Sequence, residues 1–233
     1  QQLDDSDAKA IVVLENFAHT LEEALPKTRL RHVITTQIGD LFPTARRWLV
    51  NFAVKFVKRM VPRWWIRGAI DFRTALARGA GRTLDEVSVG PDDIAFLQYT
   101  GGTTGRPKGA ILTHGNMVAN VEQTAVWIGI TLKEGEETVV TALPLYHIFA
   151  LTANLLVFLK LGSSNVLITN PRDIPGFVAE LKKTRFTAIT GVNTLFSVLL
   201  DAPGFAEVCA ANRGALKVAV AGGMAVQRAV AER

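Results

Sequence analysis

The chain has very little cysteine, with Cys209 alone among 233 residues. One cysteine cannot form an internal disulfide, which excludes the disulfide-stapled secreted class. The first residues are acidic, with Asp4, Asp5 and Asp7, whereas a signal peptide begins with basic residues. Both features favour the cytoplasm. Cys209 lies among alanines, and the sequence shows no group that would activate its thiol, so we expect a small buried apolar residue there rather than a nucleophile.

Charged residues are absent from residues 138–159, a stretch as long as a transmembrane helix. Pro144 and the polar pair Tyr146-His147 interrupt this stretch, so we expect a buried strand over 138–143, a loop, and a buried helix over 149–159. His147 would then lie at the carboxyl end of a strand, where open α/β sheets bind their ligands.

Start and stop signals are also absent, since the chain begins at Gln1 without a methionine and ends within a helical pattern that starts near Ala225. We therefore expect an internal piece of a longer protein. The composition, 48% hydrophobic and 20% charged, is that of a globular protein with a sizeable core.

Residues 99–110 combine four glycines, three threonines and one lysine between two apolar stretches. Glycines allow positive φ and close approach of backbone N–H groups to an anion, and threonine hydroxyls and a lysine add donors to phosphate oxygens. The spacing matches neither the Walker loop nor the dinucleotide loop. The pattern predicts a phosphate-binding loop, and the alternative is an ordinary Gly/Thr-rich hairpin turn.

Apolar strand-like runs alternate with helical spacing along the chain, which predicts an α/β fold with mostly parallel sheets and helices on both faces. We expect a partial first subdomain over residues 1–88 and a partial nucleotide- and acyl-binding subdomain over residues 89–233. Asp173, Asn193 and His114 are the expected caps of three helices, and Gly222-Gly223 is expected to open the last helix.

Basic residues are concentrated in residues 46–73. This segment contains eight basic residues and one acidic residue, Asp71, so its net charge is +7. The remainder of the chain has a net charge of −2, which argues against a nucleic-acid-binding body. A helical excursion is expected over residues 45–73, with a helix between Pro43 and Pro62. Its basic stripe, wide apolar face and the tryptophans Trp48, Trp64 and Trp65 are typical of a helix on an anionic membrane; the alternative is a core-packed helix with a solvated basic edge.

The chain resembles the adenylate-forming superfamily, and within it the bacterial long-chain fatty-acid CoA ligases. The resemblance rests on the residues from Phe96 to Gly105, 144–149, 168–175 and 187–196, and it covers almost the whole chain. It implies the large domain of an enzyme that uses ATP and Mg²⁺ to convert a fatty acid into an acyl-adenylate, and then forms the thioester of coenzyme A.

The resemblance also assigns roles to individual residues. Catalytic roles fall on Thr100, Lys108 and His147. Nucleotide-binding roles fall on Tyr99, Thr100, Gly101, Gly102, Thr103, Thr104, Gly105, Arg106, Pro107, Lys108, Gly109, Ala110, Gly222 and Gly223. Substrate-binding roles fall on His147, Gly191, Val192, Asn193, Thr194 and Met224. No protein ligand of Mg²⁺ is expected in this chain, because the family's magnesium carboxylate follows further along, and the fragment alone is expected to be inactive.

The expected partners are the fatty acid, ATP, CoA and, through residues 46–73, the inner face of the cell membrane, with no nucleic acid and with a homodimer as a further assembly. Two other functions stay open. One is an acyl-AMP ligase that loads a carrier protein, and the other is a noncatalytic nucleotide- or acyl-binding module on a membrane.

Overall fold

A computed structural model describes residues 2–101 and 107–233. The chain divides into two compact units: Gln1–Val89 with Tyr99–Ala110, and Gly90–Gln98 with Ile111–Arg233. Each unit is described by itself below. The predicted nucleotide-binding residues Gly102, Thr103, Thr104, Gly105 and Arg106 lie outside the described residues.

The first unit contains a parallel sheet of order β1-β2-β3, formed by Ala10–Leu14, His32–Thr36 and Ile70–Asp71. A short α1 (Gln2–Asp5) precedes it, and α2 (Ala18–Ala24), flanked by the 3₁₀ turns Glu15–Phe17 and Leu25–Lys27, connects β1 to β2. Leu21 of α2 packs with Val33 of β2 and with Ile66. The predicted strand, helix, strand order is therefore confirmed here, since an apolar helix face covers a parallel pair.

The helix after Pro43 is shorter than predicted. It comprises α3 (Thr44–Phe52) and a π-helical turn, Ala53–Val57, and Arg59 then takes a left-handed φ of 50° that ends it before Pro62. None of its described residues is fully buried, and Val50, Ala53 and Val54 are half-buried. The next helix, α4 (Phe72–Gly79), begins at Asp71, whose carboxylate accepts a hydrogen bond from the Thr74 amide.

Strands β4 (Ile94–Thr100) and β5 (Lys108–Thr113) pair with each other on either side of the glycine-rich run. The following helix, α5 (His114–Gly129), is capped by Thr113, whose hydroxyl accepts a hydrogen bond from the Asn116 amide while the Asn116 side chain accepts one from the Thr113 amide. The predicted cap at His114 is wrong because a hydroxyl one residue earlier already satisfies the free N–H group.

The second unit is built on a parallel sheet of order β7-β6-β8-β9. Its strands are β6 (Thr138–Thr141), β7 (Ser164–Leu167), β8 (Ala188–Gly191) and β9 (Val218–Ala221). Beyond α5, its helices are the π-helix Ala150–Leu156 continued by α6 (Val157–Lys160), then α7 (Ile174–Lys182), α8 (Asn193–Leu200), α9 (Phe205–Asn212) and α10 (Arg228–Ala231).

Both faces of this sheet are covered by helices. Val139 packs in one apolar cluster with residues of α5 and α6, and its neighbour Val140 packs in another with residues of α7, α8 and α9. Successive strand residues point to opposite faces, so this division means one helical layer on each side. The predicted fold class, parallel strands between two helical layers, is confirmed.

Residues 138–159 form a strand, a loop and a buried helix, as predicted, and no single helix in the described residues is long and apolar enough to span a membrane. Three details differ from prediction. Asn193 is the first residue of α8, not its cap, and its side-chain oxygen accepts a hydrogen bond from the Gln227 amide. The last helix begins at Arg228, six residues after Gly222. Cys209 is exposed, because it lies at the wall of an open cavity beside Phe186 and Phe205 and not within the core.

Candidate active site

The glycine-rich loop starts and ends on described residues of the first unit. Tyr99 and Thr100 end β4, and Lys108 begins β5 with its side chain exposed. Lys108 forms no ion pair with any described residue, so its ammonium group is available to an anion. Gly109 lies against the ring of Tyr99, where a Cβ atom would come within 3.1 Å of the ring carbon Cζ. A side chain at 109 would therefore displace Tyr99 and the strand end that carries the loop.

Tyr99 is fixed at its other end by the first helix. Its hydroxyl donates a 2.6 Å hydrogen bond to Oδ2 of Asp5 in α1. This bond raises the pKa of Tyr99, because ionisation of the phenol would lose the donor and place a second negative charge beside the carboxylate. Tyr99 thus holds the base of the loop between α1 and Gly109. No local sequence pattern predicts the Asp5 contact, since 94 residues separate the two side chains.

His147 lies, as predicted, in the loop after β6, and its side chain is exposed. The loop is held by two backbone hydrogen bonds, from the His147 amide to the Pro144 carbonyl and from the Leu151 amide to the His147 carbonyl, both of 2.9 Å. The ring nitrogen Nδ1 accepts a 3.3 Å hydrogen bond from the Phe149 amide. With Nδ1 as acceptor, the tautomer assigned by this contact carries its proton on Nε2, which can donate to a ligand oxygen.

The carboxyl ends of β8 and β9 meet beside this loop. The Gly222 amide donates to the Gly191 carbonyl over 3.1 Å, and the Phe149 ring lies on Gly222 so closely that a Cβ there would be 3.1 Å from ring carbons. Gly223 has a φ of 78°, a conformation that favours glycine, and it lies near Val192. Within the second unit, the structure therefore places Gly191, Val192, Gly222 and Gly223 at two adjacent strand ends, beside the loop that contains His147. The other predicted residues, Asn193, Thr194 and Met224, follow these strand ends in the chain.

A buried polar network lies behind the His147 loop. Asn154, on the π-helix and fully buried, donates to the Thr141 hydroxyl over 2.8 Å and accepts from the Thr190 hydroxyl over 2.9 Å. Asn165 of β7 joins by donating to the Asn154 carbonyl and accepting from Thr141. The network fixes the π-helix to the carboxyl ends of β6 and β8, and a π-helical turn is a frequent feature of functional sites.

Sequence reasoning missed this network. The sequence feature that could have predicted it is Asn154, a single amide within an otherwise apolar helix. A buried amide needs hydrogen-bond partners for both its oxygen and its nitrogen.

The opposite, amino end of the sheet carries a buried ion pair. Glu137, whose side chain is 0% exposed, accepts 2.6 Å hydrogen bonds at Oε1 from Lys217 Nζ and from the Lys133 amide. Oε2 has no partner among the described residues. Burial raises the pKa of Glu137, but the hydrogen bonds from Lys217, from the Thr187 hydroxyl and from the Lys133 amide outweigh it, so the pKa is lowered overall. This pair stabilises the sheet far from the His147 loop.

The whole chain matches a family model. Residues 1–233 match the family described as AMP-binding enzyme. The chain belongs to this family. The match confirms the resemblance to adenylate-forming enzymes that the glycine-rich loop predicted.

Curated relatives of high identity are bacterial proteins named long-chain-fatty-acid–CoA ligase. The protein from Escherichia coli O157:H7 is 56% identical over 232 residues, and the protein from Haemophilus influenzae is 53% identical over 235 residues. The alignment covers 100% of this chain and 41% of each relative, so the chain spans about two fifths of their length. A Bacillus subtilis protein of the same name is 36% identical over 87% of the chain.

Solved structures share the fold at lower identity. An anthranilate CoA ligase in complex with anthranoyl-AMP gives a TM-score of 0.71 at 19% identity, covering 98% of this chain and 39% of that one. ATP-bound MatB from Rhodopseudomonas palustris gives 0.66 at 22% identity, covering 97% of this chain and 37% of that one. A long-chain-fatty-acid-CoA ligase from Archaeoglobus fulgidus gives 0.61 at 23% identity, with 99% and 39% coverage. These neighbours bear out the fold.

Proposed function

We propose that the full-length protein activates a long-chain fatty acid with ATP and transfers the acyl group to coenzyme A. The observation that carries the proposal is the 56% identity, over the whole chain, to a protein named long-chain-fatty-acid–CoA ligase. A carboxylate oxygen of the acid attacks the α-phosphorus of ATP, and the bond to the leaving pyrophosphate breaks. The thiol sulfur of CoA then attacks the acyl carbon, AMP leaves, and the thiol proton is released.

In this proposal the loop residues bind the phosphates that leave as pyrophosphate. Thr100 contributes a hydroxyl donor and Lys108 a mobile cation, while Gly101, Gly109 and Ala110 contribute backbone at the loop ends. Because negative charge accumulates on pyrophosphate as the bond breaks, donors fixed there stabilise the transition state more than the bound substrate. Tyr99 and Pro107 help to set the conformation of the loop.

The ends of β6, β8 and β9 bind the acyl and adenine parts. His147 donates through Nε2 to the carboxylate and then to the acyl-phosphate, supported by the Nδ1 contact with the Phe149 amide. Gly191, Val192, Asn193, Thr194 and Met224 line the acyl side, and the bare backbone of Gly222 and Gly223 admits a flat adenine ring.

In this proposal, Mg²⁺ binds together with ATP. Within residues 2–101 and 107–233, no group of three His, Cys, Asp or Glu side chains could hold a metal ion. The described residues do not fit a protein-bound ion, so we assign no step of the reaction to it.

Replacing His147 with alanine tests the site. We expect kcat for fatty-acid-dependent ATP–pyrophosphate exchange to fall by more than the KM for ATP rises, because the Nε2 contact strengthens as charge moves from the carboxylate to the phosphate. The removal of one such donor typically costs about 100-fold in kcat. His114→Ala is the matched control, since His114 is an exposed histidine of the first turn of α5, and it should leave both constants unchanged. A change confined to the KM for ATP would make His147 a nucleotide contact and contradict this role.

We further propose that residues 46–73 hold the protein at the cytoplasmic face of the membrane. Trp48 and Trp65 are 68% and 72% exposed, beside the exposed Leu49, Val57 and Met60. Arg46, Lys58, Arg63 and Arg67 of the same segment are also exposed. Trp64, the third tryptophan of the predicted membrane surface, packs instead against the core of the first unit. A segment that exposes both apolar side chains and cations suits an anionic lipid surface. The expected homodimer stays a prediction.

A triple reversal, Lys58, Arg63 and Arg67 to glutamate, should weaken binding to anionic vesicles by more than about 100-fold, since each cation near the surface contributes about 1 kcal/mol. Co-sedimentation at low and high salt measures the effect, and binding of the unmodified protein should weaken as salt rises. The matched control reverses Lys27, Arg31 and Arg82, which changes the net charge equally outside residues 46–73. Equal loss from both triple variants would reduce the effect to net charge, and salt-independent binding would contradict the proposal.

A further inference from the structure

The first unit contains an open cavity of about 670 Å³ between the helix of residues 44–57 and α4. We name it the α3 groove. Its helix side is formed by Arg47, Trp48, Asn51, Phe52, Lys55 and Phe56. The volume is that of pockets that bind small organic ligands, and the residues that line it are distinct from those of the His147 loop.

The lining residues form two parallel stripes. Arg47, Asn51 and Lys55 recur every four residues, and Trp48, Phe52 and Phe56 follow each of them by one. At about 100° per residue, positions four apart share a face, so a polar stripe runs beside an aromatic one for about 12 Å. The rings of Phe52 and Phe56 lie 5.1 Å apart and are 56% and 61% exposed. A cationic stripe beside an exposed apolar one suits a ligand that is itself amphiphilic.

The acidic groups of the groove are already satisfied. Asp40 is buried and accepts hydrogen bonds from the Thr36 hydroxyl, the Gln37 amide and the Asn51 side chain. Asp71 caps α4. The carboxylates therefore have their donors within the protein.

The cations are less fully engaged. Arg47 forms no ion pair with any described residue. Lys55 lies 3.3 Å from Glu15, and Arg73 donates through one nitrogen to the Asp40 carbonyl. An arginine guanidinium has five N–H donors, so Arg47 and Arg73 keep most of their donors for a ligand. The charge that the groove leaves without an ion-pair partner among the described residues is cationic, which favours an anionic head group.

We propose that the α3 groove is a second binding site for the long-chain fatty acid anion, outside the reaction site. Its carboxylate binds Arg47 and Arg73, and its alkyl chain lies across Trp48, Phe52 and Phe56. The identity of the acid rests on the proposed function. A single carboxylate matches two partly free guanidinium groups, whereas a CoA thioester brings several phosphates that the groove has too few cations to bind.

The test uses the full-length protein without ATP and hexadecanoic acid as the probe, with binding measured by calorimetry below the concentration at which the acid forms micelles. Arg47→Gln should weaken one class of sites about tenfold, the loss of a charge-assisted contact. Arg46→Gln is the matched control, because the Arg46 guanidinium lies over the Phe42 ring and does not line the groove. Hexadecanol should bind the two variants equally, and shortening the acid should weaken binding by two- to fourfold per methylene.

Location is tested by photo-crosslinking with a hexadecanoic acid that carries a diazirine on its chain. The proposal requires crosslinks in residues 47–56 that Phe52→Ser reduces and Leu49→Ser, on the same helix but outside the groove, leaves in place. Crosslinks found only in residues 191–224 would overturn it, as would equal losses from Arg47→Gln and Arg46→Gln. If Arg47→Gln weakens binding to anionic vesicles but not to the free acid, the groove is a membrane contact and the proposal fails.

The outcome is separable from that of the proposed function. ATP–pyrophosphate exchange with a saturating short soluble acid should be the same in Arg47→Gln and the unmodified protein. Crosslinks in residues 47–56 with no acid-dependent exchange would keep the groove and reject the enzyme, whereas exchange without these crosslinks would do the reverse.

Discussion

Lys217→Met should lower the free energy of unfolding of the full-length protein by about 3 kcal/mol. Lys217 is the partner of Glu137, which is buried at the amino end of the sheet and keeps one oxygen without a partner among the described residues. Without the ammonium group, the carboxylate retains only the neutral donors of the Thr187 hydroxyl and the Lys133 amide, and a charge in the interior without an opposite charge is strongly destabilising. The midpoint of urea denaturation measures the loss, and hydrogen exchange should locate it to residues 133–139 and to β9.

The pH dependence of this variant follows from the lowered pKa of Glu137. In the unmodified protein the pair contributes its stability above the pKa of an unfolded glutamate, and the contribution is lost as the pH falls through the lower folded pKa. In Lys217→Met the buried carboxyl loses its main favourable partner, so its pKa rises and protonation relieves the penalty. The difference in stability between the two proteins should therefore be largest at neutral pH and shrink in acid.

A second substitution provides the control. Adding Glu137→Gln to Lys217→Met removes the buried charge while keeping an amide oxygen for the Lys133 N–H, so most of the lost stability should return. Lys217→Arg should be close to the unmodified protein. A double variant as unstable as Lys217→Met would show that packing at residue 217, rather than the ion pair, is responsible.

Lys108→Ala should slow fatty-acid-dependent ATP–pyrophosphate exchange by about tenfold or more, because the charge-assisted contacts of one lysine are worth about 1.5–3 kcal/mol. The side chain begins β5, is exposed and has no ion-pair partner among the described residues, so its removal should leave the fold intact. The loss reflects weaker stabilisation of the departing pyrophosphate.

Lys133→Ala is the matched control for this variant, since Lys133 is an exposed lysine whose side chain makes only a 4.0 Å surface contact with Glu136. Its exchange rate should be unchanged. An unchanged rate in Lys108→Ala itself would contradict the assignment of the loop to phosphate binding.

Local sequence patterns predicted the parts of the fold that local forces determine. The apolar run before Pro144 placed His147 after β6, and Asp173 caps α7 as expected because its donor, the Gly176 amide, lies three residues away. The cap of α5 is Thr113, one residue before the predicted His114, because neighbouring polar side chains compete for the same free N–H groups.

Contacts between distant residues account for most of the rest. Asn193 has the composition of a cap, but its oxygen accepts from Gln227, 34 residues away. Asn154 is bonded to Thr190 across 36 residues, and Tyr99 to Asp5 across 94. No local pattern contains these partners. The predicted site residues of the second unit were identified by resemblance to a family, and Gly191 and Gly222 lie together beside the His147 loop because β6, β8 and β9 are parallel neighbours.

The proposed activity is tested most directly by product analysis. The full-length protein is incubated with ATP, Mg²⁺, CoA and a labelled long-chain fatty acid. We expect labelled acyl-CoA, AMP and pyrophosphate in equal amounts, and labelled acyl-adenylate when CoA is left out. Acyl-adenylate that is passed to a carrier protein but not to CoA would identify an acyl-AMP ligase instead. Formation of ADP, or binding of ATP without any acid-dependent turnover, would contradict the proposed function.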